Sequence, residues 1–121
     1  MNLRRFGAER WGDMSKEINM GLVDIHCHIL PEVDDGAWDL EMALEMARMA
    51  VDSGIKAMVA TPHCIEDRTR EVYGAWQLLT EALEENGIPV KLVPGMEIFS
   101  TADTARMLRE GKLLTLNNSR Y

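Results

Sequence analysis

Basic residues are scarce in this chain. Its 13 lysines and arginines face 20 aspartates and glutamates, a formal net charge of −7. Phosphate backbones require a basic surface, so the balance argues against a broad nucleic-acid-binding face. Cysteine is nearly absent: Cys27 and Cys64 are the whole supply, too few for a disulfide framework. No apolar run approaches the roughly 20 residues needed to span a bilayer. The first 19 residues carry Arg4, Arg5, Arg10 and Lys16 but no apolar core, so neither a secretory nor a twin-arginine signal is expected. Residues 1–19 are therefore expected to be a poorly ordered extension, with Met20 as an alternative start. Reduced thiols in the cytoplasm are the matching expectation. What remains, residues 20–121, suffices for one modest domain with one core.

A strand–helix rhythm begins at Leu22. Leu22-Val23-Asp24-Ile25-His26 is a short β-type run, followed by a proline- and glycine-punctuated loop from Leu30 to Gly36. Asp39 fits the N-cap of a helix with Leu40, Ala43, Leu44, Ala47 and Val51 on one face, stopped at Gly54. Met42, Met46 and Met49 sit at helical spacing and are expected to fill gaps beneath a sheet. A second strand, Ala57–Ala60, leads into Thr61-Pro62-His63. A helix over about 69–86 follows, with Val72, Trp76, Leu79 and Leu83 facing inward and Gly87 ending it. Val90–Val93 forms a third strand that delivers Glu97. A helix over about 102–110 and an extended stretch Leu113–Leu116 complete the pattern. Strand–helix units in succession imply an α/β fold with parallel strands, and in such folds chemistry gathers at the carboxyl ends of the strands.

All 3 histidines occupy such ends. His26 and His28 close the first strand, His63 closes the second, and Glu97 closes the third. Side chains two apart in an extended segment point the same way, so His26 and His28 can grip one metal together. Asp34 or Asp35, in the following loop, can add an oxygen ligand. Each residue alone has a bland reading, as a polar cluster or a solvated carboxylate. Their agreement with one architecture favours a metal site. Cys27, between the two histidines, should face the opposite side as a small core residue. Cys64 follows His63 and is a weaker metal candidate. Cys64 and Arg70 also have the Cys-x5-Arg spacing of thiol-dependent tyrosine phosphatases. The intervening Ile65-Glu66-Asp67-Arg68-Thr69 lacks glycine and carries two carboxylates, which is wrong for a phosphate cradle. Arg68 and Arg70 remain candidates for contact with an anionic substrate.

Several motifs, in order, resemble one family. Asp24-Ile25-His26-Cys27-His28-Ile29-Leu30-Pro31 and Asp34-Asp35-Gly36-Ala37 look like the opening of PHP-superfamily protein tyrosine phosphatases of capsule and exopolysaccharide systems. Thr61-Pro62-His63, Pro94-Gly95-Met96-Glu97-Ile98 and Leu114–Tyr121 are similar to its later segments. The resemblance implies the N-terminal portion of a distorted (β/α)7 barrel. It implies up to three metal ions, usually manganese (Mn2+), with His26, His28, Asp35, His63 and Glu97 as ligands. It implies hydrolysis of phosphotyrosine on a membrane-associated bacterial tyrosine autokinase, by in-line attack of a metal-activated water. Cys64 departs from the family, many of whose members carry a second histidine there, and the His63–Glu97 interval is shorter than usual. The family's remaining ligands lie beyond the position of Tyr121. A partial, inactive domain that needs its other half or self-associates is therefore expected. Rival readings are a histidinol-phosphate phosphatase, a polymerase-associated nuclease module and a non-catalytic interaction module.

Overall fold

In the computed structural model, residues 21–64 and 67–120 are described. The expected extension over residues 1–19 lies outside them. The order is β1 (Leu22–Cys27), α1 (Leu40–Asp52), β2 (Ile55–Ala60), β3 (His63–Cys64), α2 (Thr69–Glu85), β4 (Lys91–Pro94), β5 (Glu97–Ile98), α3 (Thr104–Arg109) and a 3-10 turn (Leu116–Asn118). Strands β1, β2 and β4 form a sheet in the order β1-β2-β4, and both pairings are parallel. Strands β3 and β5 make a second, two-stranded parallel ladder in which His63 lies opposite Glu97. The α/β class with parallel strands is thus as the sequence implies.

Local chemistry explains the element ends. Asp39 is extended (φ −148°, ψ 176°) and its side chain accepts the Met42 N–H at 2.8 Å, capping α1. Gly54, at φ +88°, turns the chain out of α1 in a conformation that costs a residue with a Cβ. Helix α1 buries Ala43, Leu44, Ala47 and Ala50, a mostly small-residue stripe that brings its backbone close to its neighbours. The methionine expectation is corrected accordingly. Met42 and Met49 are exposed and only Met46 packs on the core, because the alanine stripe occupies the inward face.

Helix α2 contributes Val72, Leu79, Ala82 and Leu83 to the core. Trp76 is partly buried and fixes α2 to β4 by donating its indole N–H to the Leu92 carbonyl at 2.9 Å. Leu79, Ile29 and Leu30 are fully buried; each contributes on the order of 1.5–3 kcal/mol by leaving water. The last expected strand is not formed. Leu113 and Leu114 are buried, but their segment joins no sheet and passes into the 3-10 turn. Its apolar residues serve the core, and the backbone turns away at Asn117 and Asn118, both at positive φ.

A candidate metal centre at the strand ends

Two local devices shape the β1 end of the site. The β1–β2 register slips between Asp24 and Cys27, where three steps on β1 match two on β2. Such a bulge leaves a backbone group without its ladder partner and re-aims the side chains beside it. The Asp24 carboxylate accepts the His26 N–H at 3.0 Å, an Asx turn that satisfies the bulged residue. Beyond it, the Cys27 N–H donates to the Thr61 hydroxyl at 3.0 Å. Thr61 is buried, its own N–H donates to the Cys27 carbonyl at 2.8 Å, and its hydroxyl lies 3.3 Å from that oxygen. Cys27 faces away, as expected, with its thiol 3.3 Å from the Val59 carbonyl. Burial, helped by the Asp24 charge and opposed by a backbone hydrogen bond from Ile29, pushes that thiol up to about 12. It stays protonated and inert.

The loop from Leu30 to Gly36 is folded tightly against His28. Ile29, Leu30, Val33 and Ala37 anchor it in the core. Its ends close through the Ala37 N–H on the His28 carbonyl (3.1 Å) and the Glu32 N–H on the Ala37 carbonyl (3.0 Å). A Cβ on Gly36 would stand 2.0 Å from the His28 carbonyl oxygen, so only glycine fits there. Arg68 reaches across from the start of α2 to donate to the Val33 carbonyl at 2.9 Å.

The donors meet around one atom. Glu97 Oε2 lies 3.0 Å from His28 Nε2, 3.1 Å from His63 Nδ1 and 3.5 Å from His26 Nε2. That oxygen is buried and makes no hydrogen bond: the nitrogens are near enough to pair with it, but none is aligned to donate. His26 and His28 are 3.3 Å apart through their Nε2 atoms. His63 Nε2 in turn lies 3.5 Å from Asp35 Oδ1. The ligand atoms fall into two groups, His26/His28/Glu97 and His28/Asp34/Asp35/His63, each within 4.8 Å of one another. Imidazole and carboxylate lone pairs crowded about an unbonded oxygen are the electrostatic signature of a cation site. The mixed nitrogen and oxygen set suits a divalent transition metal such as manganese, iron or zinc.

All five expected ligands are therefore brought together at the strand ends. Cys64 is not among them. It is buried in the core and enters neither donor group, which also removes it as an accessible nucleophile. Arg68 is half-buried and engaged with Glu71 and Val33, while Arg70 is exposed as the second residue of α2. The contributions of Asp24 and Thr61 were missed from sequence. The Asp-x-His spacing was the available signal for the first, because an Asx turn links residues two apart.

The family described as capsular polysaccharide synthesis, CpsB/CapC, matches residues 22–121. The chain belongs to the CpsB/CapC family. It is 39% identical over 104 residues to the tyrosine-protein phosphatase YwqE of Bacillus subtilis, covering 83% of this chain and 41% of that protein. It is 28% identical over 104 residues to the tyrosine-protein phosphatase CpsB of Streptococcus pneumoniae, covering 83% of this chain and 43% of that protein. A crystal structure reported for YwqE and S. pneumoniae CpsB, as metal-dependent tyrosine phosphatases, matches with a TM-score of 0.78 at 40% identity. The match covers 83% of this chain and 42% of the other. The chain thus spans about two fifths of the length of the curated CpsB/CapC relatives it matches. No helix among the described residues is long and apolar enough to cross a membrane.

Proposed function

We propose that this chain carries the N-terminal donor set of a metal-dependent phosphotyrosine phosphatase of capsule synthesis. The observation that supports this most directly is the buried, unbonded Glu97 Oε2 with three imidazole nitrogens at 3.0–3.5 Å. In this reading the sheet β1-β2-β4 is the opening of a (β/α)7 barrel. His26, His28, Glu97, His63 and Asp35 are its first ligands, for two of up to three ions, with Mn2+ the expected metal. When bound, such ions neutralise phosphate charge and lower the pKa of a bound water. The chain's own residues hold the donors rigidly: the Asp24 turn and the Thr61 bridge set the histidine pair, and the β3–β5 ladder sets His63 against Glu97. Exposed Asp35 faces the phosphate side. Arg70, with Arg68 behind it, borders an open depression of about 530 Å³ lined also by Asp67, Thr69 and Glu71, and is the side chain there proposed to meet an anionic substrate. The names of the relatives favour phosphotyrosine over histidinol phosphate, and a tyrosine autokinase is the phosphoprotein this reading expects.

The test is metal binding. Chelator-stripped chain, titrated with Mn2+ and weighed by native mass spectrometry, is expected to hold at least one ion tightly. The paired variant His26→Ala/His63→Ala should lose it. Absence of specific binding by a folded wild type would overturn the reading and favour a non-catalytic module.

A further inference from the structure

Asp34 and Asp35 are chemically identical neighbours, yet the fold treats them oppositely. The Asp35 side chain is 82% exposed and that of Asp34 only 5%. Asp34 Oδ2 lies 2.9 Å from His28 Nδ1 and accepts the His63 backbone N–H, also at 2.9 Å. Its Oδ1 accepts the Gly36 N–H at 2.9 Å. Both lone pairs of Oδ2 are therefore committed, and Oδ1 is turned back into its own loop. A carboxylate so engaged is poorly placed to ligate.

Its position does something else. A neutral imidazole has one N–H and one lone pair, and the partner of one nitrogen decides the role of the other. A carboxylate can only accept, so Asp34 requires the proton on His28 Nδ1. That leaves the lone pair on Nε2, the nitrogen 3.0 Å from Glu97 Oε2 and 3.3 Å from His26 Nε2. The same oxygen also fixes the backbone at His63, tying two ligand-bearing segments to one anchor.

We infer that Asp34 is a positioning residue, not a ligand: it fixes the tautomer and ring orientation of His28 and sets His63 beside it. This rests on the metal-site reading above and deepens it. Carboxylate partners of ligating histidines change metal affinity by about 10–100-fold when removed.

The decisive measurement needs no metal. Long-range proton–nitrogen NMR on chelator-stripped, 15N-histidine-labelled chain, at about pH 9, reads tautomers well above the ordinary imidazole pKa of about 6.5. His28 is expected to carry its proton on Nδ1 in the wild type and to shift toward Nε2 in Asp34→Ala. Asp34→Asn, which can still offer an oxygen to His28, should retain the wild-type tautomer. Asp35→Asn should leave it untouched while weakening Mn2+ binding. A wild-type His28 protonated on Nε2 would overturn the inference, and so would a tautomer indifferent to Asp34→Ala. Should Asp34→Ala not fold, Asp34→Leu takes its place, with the same shift expected, and a wild-type His28 protonated on Nε2 still overturns the inference. In the Mn2+ titration, Asp34→Ala is expected to bind about 10–100-fold more weakly. If the wild type binds no Mn2+ while His28 shows the Nδ1–H form, the metal reading fails and the positioning role stands.

Discussion

The Thr61 bridge gives a prediction whose size follows from the structure. Replacing Thr61 by valine keeps the shape and the buried methyl but deletes the hydroxyl that accepts the Cys27 N–H at 3.0 Å. That bond lies where the β1–β2 register resumes after the bulge, at Cys27 and Ala60, and Thr61 is only 2% exposed, so water cannot readily replace its hydroxyl. The Thr61 N–H to Cys27 carbonyl bond at 2.8 Å survives. The loss is therefore the hydroxyl acceptor of one partly buried donor, about 1–3 kcal/mol. Thr61→Ser, which keeps the oxygen and loses a methyl, should cost about 1 kcal/mol or less in transfer free energy. Urea unfolding followed by circular dichroism measures both. The valine variant should unfold at a midpoint lower by roughly 0.3–3 M, given slopes of about 1–3 kcal/mol per molar. A valine variant within about 0.5 kcal/mol of wild type, or a serine variant worse than valine, would refute the reasoning.

Two further perturbations follow from the same region. Gly36→Ala would place a Cβ 2.0 Å from the His28 carbonyl oxygen and 2.6 Å from its Cβ; relief requires backbone movement, so a cost of about 2–3 kcal/mol is expected, together with weakened Mn2+ binding, measurable by the same urea and titration assays. The Glu71 carboxyl is held below its ordinary range, chiefly by the hydrogen bond from Arg68, which outweighs a small opposing effect of burial. A depressed carboxyl stabilises the fold above its unfolded pKa of about 4.3 and loses that contribution as pH falls through its folded value. The pair is half-exposed, so the contribution is under about 1 kcal/mol, and Glu71→Gln should flatten acid unfolding below about pH 4.3 by no more than that.

The parts of the fold that were legible are those with long-range periodicity or a strong local stop. Helix α1, with Asp39 before it and Gly54 after, and helix α2, with Gly87 after, could be read because caps and glycines act on their own neighbours. The grouping of the three histidines with Glu97 could be read because the strand-end rule needs only approximate boundaries. The two-residue strands β3 and β5 carry no period at all, so the pairing of His63 with Glu97 emerges only in three dimensions. A bulge is likewise invisible to alternation, since it changes the register between strands and not the pattern within one. The methionine stripe misled because alanines offset by one position compete for the same inward face, and sequence spacing alone does not rank them. The difference between Asp34 and Asp35 depends on which way a tight loop turns, and the loop turns where Gly36 allows it to meet His28.

That loop has a consequence for how the molecule breathes. Asp34 and the His63 amide it holds are 29 positions apart in the chain, while the Gly36 amide on the same carboxylate is two positions away. Freeing either amide by moving Asp34 frees the other, along with His28. Opening of the loop is therefore expected to loosen the start of β3 with it, an expectation that hydrogen exchange at the Gly36 and His63 amides would check. Of the donors, His28 and His63 would move together, because both lean on the one carboxylate.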